Sequence, residues 1–270
     1  MIRQSTKLFG RKCALIGVVH VLPLPGSPSY DGDMDRILAQ ALKDAAAYRE
    51  GGADALMLEN MHDVPYLKGY AEPETTAAMA AVAKAVKAET KRMPMGLQIL
   101  AGANCEALAV AVACDLDFIR VEGFVYAHVG DEGIHESDAA KLLRRRAALK
   151  AEGIKIFADV KKKHAAHAIT SDVDITETAR TAEFFKADGV IVTGTATGHA
   201  PDASDVETVR AAVSLPVLIG SGITDENVFR FAEHCDGVIV GTSAKRDGLW
   251  ANAVEKGRVE KLAAAMAKVR

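Results

Sequence analysis

Short apolar segments alternate with longer amphipathic segments along the whole chain. The apolar segments are rich in valine, isoleucine and leucine, and most lack the polar and apolar alternation of a half-exposed strand. Continuous runs of this kind are typical of parallel strands that are covered on both faces. We therefore predict strands at residues 14–19, 55–58, 96–100, 118–121, 155–160, 189–192, 217–219 and 237–240.

The segments between the predicted strands have the residue pattern of amphipathic helices. The clearest helices are predicted at residues 33–50, 74–89, 137–152 and 176–186. Ser137, Thr176 and Asp225 are the predicted caps, because their side-chain oxygens can accept hydrogen bonds from the free amides of a first helical turn.

The order of these elements predicts the fold. Strand and helix alternate, which indicates a parallel sheet with right-handed crossovers. An aspartate directly before the apolar run marks a helix-to-strand turn at Asp54, Asp117, Asp188 and Asp236. Eight units without a linker favour an α/β protein with a single (β/α)8 TIM-barrel domain over residues 1–270. An open dinucleotide-binding sheet is the alternative, but it needs a glycine-rich first turn, and residues 20–26 form a proline-rich one.

Composition narrows the classes of partner. The formal net charge of −3 argues against a nucleic-acid partner, which would need a basic face. The sequence has no apolar run long enough for an integral membrane segment. The four cysteines lie far apart without a CxxC pair, so we expect a reducing, cytoplasmic location. A homo-oligomer is compatible with the sequence.

Two glycine-rich segments follow the seventh and eighth predicted strands. Ligand sites in TIM barrels lie at the carboxyl ends of the strands. Glycine lets the backbone approach an anion, and amides and hydroxyls can donate hydrogen bonds to it. A glycine at a strand end can also simply make a tight turn. We predict a phosphate site formed by Gly220, Ser221, Gly222, Gly241 and Thr242.

Ionisable residues at other strand ends are candidates for acid and base chemistry. The predicted catalytic residues are His20, Glu59, Asp159, Lys161 and Lys163. Asp159 and Lys161 are two residues apart on a strand, so both side chains are expected on one face. There they would form an acid–base pair or an internal salt bridge. A structural role is the alternative for His20.

Further polar residues at the strand ends are candidates for binding the rest of a ligand. The predicted substrate-binding residues are Asn60, Gln98, Arg120, Thr193 and Gly194. Arg120 and Glu122 share a strand face, and a buried ion pair between them is the favoured interpretation. We expect no cofactor. A divalent metal held by Glu59, His62 and Asp63 is a weaker alternative, because their spacing matches no familiar metal motif.

Several long phrases resemble the BtpA family, which includes the SgcQ-like proteins. The likeness runs from about Leu15 to Arg258 and includes IGVVHVLPLPGSP at 16–28 and ENMHDVPY at 59–66. The remaining matches are FIRV at 118–121, ADVKKKH at 158–164, VTGTATG at 192–198, GSGITDEN at 220–227 and IVGTSAK at 239–245. The chain departs from the family at residues 101–104, where an Asn-Asp pair is usual, and at Glu122, where asparagine is usual.

The resemblance implies a barrel of the ribulose-phosphate-binding kind. It also implies a role in photosystem I assembly for cyanobacterial relatives, whereas other relatives lie among sugar-uptake genes. From the residues, we favour an enzyme that binds a small phosphorylated ligand and catalyses isomerase, epimerase or lyase chemistry. The alternative is a non-catalytic assembly factor for a membrane complex. A nucleoside-triphosphate hydrolase ranks last, because the sequence lacks a Walker-type loop.

Overall fold

The protein forms a closed parallel barrel, confirming the predicted α/β fold. The structure is a computed structural model that describes residues 7–194 and 198–270. Within these residues the barrel has eight strands. They are β1 (Ala14–His20), β2 (Ala55–Glu59), β3 (Met95–Gln98), β4 (Phe118–Val121), β7 (Lys155–Val160), β9 (Gly189–Val192), β10 (Val217–Ile219) and β11 (Gly237–Val240). Their order around the barrel is β1-β11-β10-β9-β7-β4-β3-β2. Each predicted strand is present, with ends shifted by two residues at most.

Helices connect most of the barrel strands across the outside. In the described residues they are α1 (Met34–Glu50), α2 (Pro73–Thr90), α3 (Asn104–Cys114), α4 (Ala139–Ala148), α5 (Ile175–Phe184), α6 (Ala203–Ala212) and α7 (Lys256–Ala267). Between β10 and β11 the described chain makes only a short 3-10 turn at Val228–Arg230.

The three predicted helix caps are wrong. Ser137 donates its hydroxyl hydrogen to the carbonyl of Phe124, 2.9 Å away, and α4 begins after it. Thr176 lies inside α5, which is capped instead by Asp174. Asp225 precedes the 3-10 turn rather than an α-helix. Residue type alone does not separate a helix cap from a polar residue in a preceding turn or loop or within the first helical turn.

The barrel interior is filled by alternate residues of the strands. Side chains alternate between the two faces of a strand, so every second residue points inward. The interior cluster consists of Ile16, Val18, Ala55, Met57, Phe118, Phe157, Ile191, Leu218 and Ile239. Phe9 closes the amino-terminal end, with its ring centroid 5.4 Å from that of Phe118. The core is therefore solid up to the layer at which the strands end.

The aspartates of the helix-to-strand turns tie neighbouring strands together at the bottom of the barrel. In the described structure four of them accept the backbone N–H of the residue that begins, or nearly begins, the preceding barrel strand. The pairs are Asp54 with Leu15 at 2.8 Å, Asp117 with Met95 at 2.8 Å, Asp188 with Ile156 at 3.0 Å and Asp236 with Val217 at 2.9 Å. Each carboxylate also pairs with an arginine or lysine. We call these contacts the aspartate staples.

A small antiparallel sheet stands beside the barrel and was absent from the prediction. Its strands are β5 (His128–Gly130), β6 (Gly133–His135) and β8 (Ala165–Ala166), in the order β6-β5-β8. His128 lies opposite His135 in this sheet, and their rings stack with centroids 5.0 Å apart. The sheet therefore covers the side of the barrel where β4 and β7 end.

None of the helices within the described residues combines the length and apolar character needed to cross a membrane.

Candidate functional site

The mouth of the barrel is formed by one inward residue from each strand. On each strand, the next inward-facing position after the core lies two residues further along the chain, and these positions make up the layer. The residues are His20, Glu59, Gln98, Arg120, Asp159, Thr193, Gly220 and Gly241. Polar side chains are costly next to buried strands unless they are paired or functional. Six of these residues are polar or charged and at most 9% exposed, so this layer is a concentrated polar site.

The layer is uneven, because the seventh and eighth barrel strands contribute only glycines, Gly220 and Gly241. A cavity of about 260 Å³ occupies the space above them. Its lining includes all five residues predicted to hold phosphate, together with His20 and Glu59. We call this space the glycine lobe.

The loop after β10 is held by close packing. Ser221 donates its hydroxyl hydrogen to the carbonyl of His199 at 2.9 Å and accepts the N–H of Gly194 at 3.0 Å. Its side chain therefore joins two loops and is already engaged. Gly222 has a φ of +71°, and a Cβ there would lie 2.0 Å from the nitrogen of Ala200. Glycine is required at this position for packing as well as for any approach of a ligand.

His20 lies at the edge of the glycine lobe. Its Nδ1 is 2.8 Å from the carbonyl oxygen of Trp250, which can only accept, so Nδ1 carries the hydrogen. Nε2 is on the other side of the ring, 2.8 Å from where a Cβ on Gly241 would stand. Burial, and secondarily the Lys245 ammonium, lower the pKa of His20 well below its usual value. The imidazole is thus neutral, with its acceptor nitrogen at the cavity.

The ion pairs in the mouth differ from those predicted. Arg120 binds Asp159 through two hydrogen bonds, each 2.9 Å long, and both side chains are buried. Glu122 binds Lys162 at 2.9 Å instead of Arg120. The predicted pairs, Arg120 with Glu122 and Asp159 with Lys161, are therefore wrong. Side chains at matching positions of neighbouring strands lie closer together than side chains two residues apart on the same strand.

Glu59 and Lys163 are the ionisable groups whose environments suit proton transfer. Burial raises the pKa of Glu59, and the Arg120 guanidinium partly offsets this. Burial also lowers the pKa of Lys163, and Arg120 adds to this effect. The two shifts move the pKa values of a carboxyl group and an ammonium group towards neutral pH. Both residues line the glycine lobe.

A second cavity of about 280 Å³ opens on the opposite side of the mouth. It shares Glu59, Met61, Arg120 and Lys163 with the glycine lobe, so the two spaces meet over these residues. Its outer wall includes Tyr66 and Trp250. We call this space the aromatic lobe.

Some of the predicted site residues lie away from both lobes. Lys161 has a φ of +47°, which ends the strand alternation, and its ammonium donates to the carbonyl of Thr170 at 2.9 Å. Asn60 accepts the N–H of Leu100 at 2.7 Å and supports the loop after β2. Thr193 accepts the N–H of Lys163 at 2.9 Å. These residues position the loops of the mouth, as does Gly194 through its bond to Ser221. Residues 195–197, which follow Gly194, lie outside the described residues.

Two mouth residues were not singled out from the sequence. Arg258, near the start of α7, lines the glycine lobe and binds Glu255 at 3.0 Å. Trp250 lines the aromatic lobe, and its ring centroid is 5.0 Å from that of His62. Both follow the last strand, where no strand pattern marks a position at the mouth. The only signal available is that Trp250 is the only tryptophan in the sequence.

The residues of the weaker metal alternative have separate partners. Asp63 accepts the N–H of Leu24 at 2.8 Å, whereas His62 packs against Trp250 and Glu59 faces the mouth. In the part of the chain that the structure describes, His, Cys, Asp and Glu side chains form no group of three that could hold a metal ion.

Several enzymes are among the solved structures with similar folds. Thiamine phosphate pyrophosphorylase from Pyrococcus furiosus matches with a TM-score of 0.61 and 17% identity, over 96% of this chain and 97% of that one. The (S)-3-O-geranylgeranylglyceryl phosphate synthase from Thermoplasma acidophilum, solved with sn-glycerol-1-phosphate, matches with a TM-score of 0.59 and 14% identity. That match covers 97% of this chain and 99% of the other. At these identities the likeness concerns the fold alone.

Relatives in sequence match over nearly the whole chain. An uncharacterized mitochondrial protein of Caenorhabditis elegans is 49% identical over 92% of this chain and 90% of its own length. The photosystem I biogenesis protein BtpA of Synechocystis is 35% identical over 94% of this chain and 88% of its own. A family model described as the BtpA family matches residues 11–268. The chain therefore belongs to the BtpA family.

Proposed function

We propose that this protein is an enzyme that binds a small phosphorylated metabolite and catalyses proton transfer of the isomerase, epimerase or lyase type. One observation carries the proposal. The glycine lobe, which has room for a phosphate, is continuous with the place where Glu59, Arg120 and Lys163 meet. An anion site next to a buried base and buried cations is suited to a phosphorylated substrate that passes through an anionic intermediate.

The phosphate would bind in the glycine lobe. Gly222, Gly241 and Thr242 offer backbone that a ligand can approach closely, and Arg258 supplies a positive charge at the same wall. Ser221 would contribute through its backbone, because its hydroxyl is engaged with His199 and Gly194. The structural neighbours named for phosphorylated compounds support this placement by analogy of fold.

The proton transfer would take place between the lobes. Glu59, as a buried carboxylate, would remove a proton from a carbon next to a carbonyl group. Arg120, held by Asp159, and the Lys163 ammonium would stabilise the negative charge that develops on the carbonyl oxygen. Delivery of a proton to the opposite face of the same carbon, by a second acid such as the Lys163 ammonium, would complete an epimerisation. Delivery to the former carbonyl carbon, with a proton passing from the neighbouring hydroxyl to the former carbonyl oxygen, would complete an isomerisation.

Two further proposals accompany the function. We propose a cytoplasmic location, supported by the four cysteines, which are all free thiols. We also propose that the chain acts as one catalytic domain, since the residues of the mouth come from every barrel strand between β1 and β11.

Hydrogen exchange at the substrate carbon tests the reaction. The protein would be incubated in D₂O with a panel of aldose and ketose phosphates, and loss of C–H signals would be followed by proton NMR. We expect exchange with at least one member, and we expect Glu59→Gln to abolish it. The matched control is Glu89→Gln, which changes an exposed carboxylate on α2.

Binding is tested separately. We expect inorganic phosphate to raise the melting temperature of the wild type. Arg258→Ala should weaken phosphate binding by about tenfold, because a charge-assisted hydrogen bond is lost. Arg180→Ala, at an exposed position on α5, should leave it unchanged. Absence of any phosphate effect would overturn the phosphate site, and absence of exchange with all sugar phosphates would count against the proposed reaction class.

A further inference from the structure

The two lobes form one elongated mouth. They meet over Glu59, Met61, Arg120 and Lys163, which line both. A phosphate in the glycine lobe would therefore leave the aromatic lobe, about 280 Å³, for the remainder of the same ligand. A ligand that consists only of a phosphate and a short polar chain would leave this space to water.

One part of the aromatic lobe is lined by apolar side chains and the rest by charged ones, among them Asp131 and Glu132. Tyr66, Leu100, Trp250 and Val64 form the apolar part, and the side chain of Val64 is half exposed. Tyr66 is fixed there by donating its hydroxyl hydrogen to the carbonyl of Met61 at 2.8 Å. A concave wall with an indole and a phenol ring favours a flat apolar group, because such a group removes apolar surface from water and stacks on the rings.

The inner wall of the same lobe holds a hydrogen-bond acceptor that the described residues do not satisfy. Gln98 is 2% exposed, and its Oε1 has no hydrogen-bond partner among them. The orientation of this amide is fixed, because its Nε2 donates to the Glu122 carboxylate at 2.9 Å, and a reversed amide would place two acceptors together. A buried acceptor without a donor is costly, so a ligand N–H or O–H that reaches Oε1 would be favoured.

We propose, resting on the proposed function, that the substrate is a sugar phosphate that carries an aromatic or heteroaromatic group. The phosphate binds in the glycine lobe and the hydroxylated part crosses Glu59 and Lys163. The ring lies in the aromatic lobe against Trp250 and Tyr66. An N–H or O–H on the ring, or next to it, donates to Oε1 of Gln98.

Four probes separate the parts of this proposal. Ribose 5-phosphate carries the sugar and the phosphate without a ring, and uridine carries the ring without the phosphate. Uridine 5′-monophosphate carries both, and its N3-methyl derivative has lost the ring N–H. Affinities would be measured with the full-length protein by calorimetry. The fluorescence of Trp250, the only tryptophan, would report occupancy of the aromatic lobe directly.

We expect uridine 5′-monophosphate to bind about tenfold more tightly than ribose 5-phosphate, from ring contacts and the bond to Gln98. N3 methylation should remove part of this gain. Only ligands with a ring should change the Trp250 fluorescence. Trp250→Ala should abolish the gain, so that uridine 5′-monophosphate and ribose 5-phosphate bind to this variant with similar affinity, and Trp250→Phe should keep most of the gain. Phe184→Ala, which removes an aromatic ring that is 78% exposed on α5, is the control.

The outcomes distinguish this inference from the proposed function. If ribose 5-phosphate binds and the ring adds nothing, the aromatic substrate class is overturned while the phosphate site stands. If uridine and uridine 5′-monophosphate bind with equal affinity, the ring site in the aromatic lobe is supported and the phosphate site is overturned. Equal affinity of the N3-methyl derivative would remove the assignment to Gln98.

Discussion

The Nδ1 of His20 lies 2.8 Å from the carbonyl oxygen of Trp250, and this contact determines which ring nitrogen faces the glycine lobe. Because the carbonyl can only accept, the hydrogen is on Nδ1 and the lone pair is on Nε2. An anion next to that lone pair would be repelled unless the ring gains a proton. Binding of an anion and protonation of His20 should therefore be coupled.

We expect sulfate, which stays a dianion across the range tested, to bind more tightly as the pH falls from 8 to 6. The negative charge next to Nε2 raises the lowered pKa of His20 and draws in a proton. Calorimetry in buffers of different ionisation enthalpy measures this proton uptake. His20→Gln should remove most of the uptake near pH 6. Equal uptake by the two proteins would assign the coupling to another group, such as Lys163.

Breaking the Arg120–Asp159 pair should destabilise the protein, and the two partners should differ. Arg120→Met leaves the Asp159 carboxylate buried without its bidentate partner and should cost about 3–5 kcal/mol of unfolding free energy. Asp159→Asn should cost less, because Arg120 is also attracted by Glu59 and Glu122.

Urea unfolding of the two single variants and of the double variant measures these costs. The double variant should be more stable than the sum of the single changes predicts, since neither charge is left alone. Lys256→Met, which breaks two ion pairs between half-exposed side chains, with Glu50 and with Glu260, should change stability by less than about 0.5 kcal/mol. Equal costs for the two single variants would contradict the proposed attraction of Arg120 to the other carboxylates.

His128 should make the protein sensitive to mild acid. Burial, followed by repulsion from Lys162, His135 and His167, lowers the pKa of His128 to about 4, and Asp159 offsets this only partly. The unfolded chain takes up the proton near the ordinary value of 6.5, so stability falls as the pH drops from about 6.5 towards 4. At pH 5 the loss from this residue should be about 2 kcal/mol relative to pH 7.5.

His128→Phe tests this origin. The variant keeps a ring against His135 and removes Nε2, which has no hydrogen-bond partner within the described chain. Its unfolding free energy should be measured at pH 5 and at pH 7.5. Between these pH values it should change by about 2 kcal/mol less than that of the wild type. An unchanged pH dependence would place the acid sensitivity elsewhere.

The aspartate staples should differ in strength with their burial. Asp236 is fully buried, accepts the N–H of Val217 and pairs with Arg210, so Asp236→Ala should cost about 3 kcal/mol or more. The side chain of Asp117 is 45% exposed, so Asp117→Ala should cost about 1 kcal/mol. Denaturant unfolding of both variants measures the difference. Asp236→Asn, which keeps an acceptor for the strand N–H, should recover part of the loss, and a larger cost at Asp117 would contradict the burial argument.

The barrel and the layer of residues at its mouth could be predicted from the sequence, because both depend on one short-range rule. Buried parallel strands are continuous apolar runs, and the position two residues after the last inward apolar side chain lies at the mouth. His20, Glu59 and Arg120 follow from this rule, two residues after Val18, Met57 and Phe118. The accessory sheet did not, because strands of three residues around Gly133 contain too few positions to show a period.

Partners within the mouth could not be predicted in the same way. Whether Arg120 pairs with Glu122 or with Asp159 depends on the distance between neighbouring strands. The alternation of residues along one strand gives no information about that distance. The side chain of Lys161 does not lie at the mouth, because its backbone enters the left-handed region directly after β7. Arg258 and Trp250 reach the mouth from the segment after the last strand, where tertiary packing alone determines their positions.

The aspartate staples also determine where the chain can be interrupted. Each joins a barrel strand to the turn before the next one, so the described barrel divides into pairs: β1 with β2, β3 with β4, β7 with β9, and β10 with β11. A split or circular permutation between pairs, for example at the exposed end of α2 or at Ser214, leaves every aspartate–amide contact inside one fragment. A break at the end of α2 separates the ion pair of Lys87 with Asp117, and a break at Ser214 separates that of Arg210 with Asp236. A break within a pair separates a carboxylate from its amide. The end of the barrel opposite the mouth thus divides the protein into two-strand units, and we expect fragments that keep these units intact to reassemble.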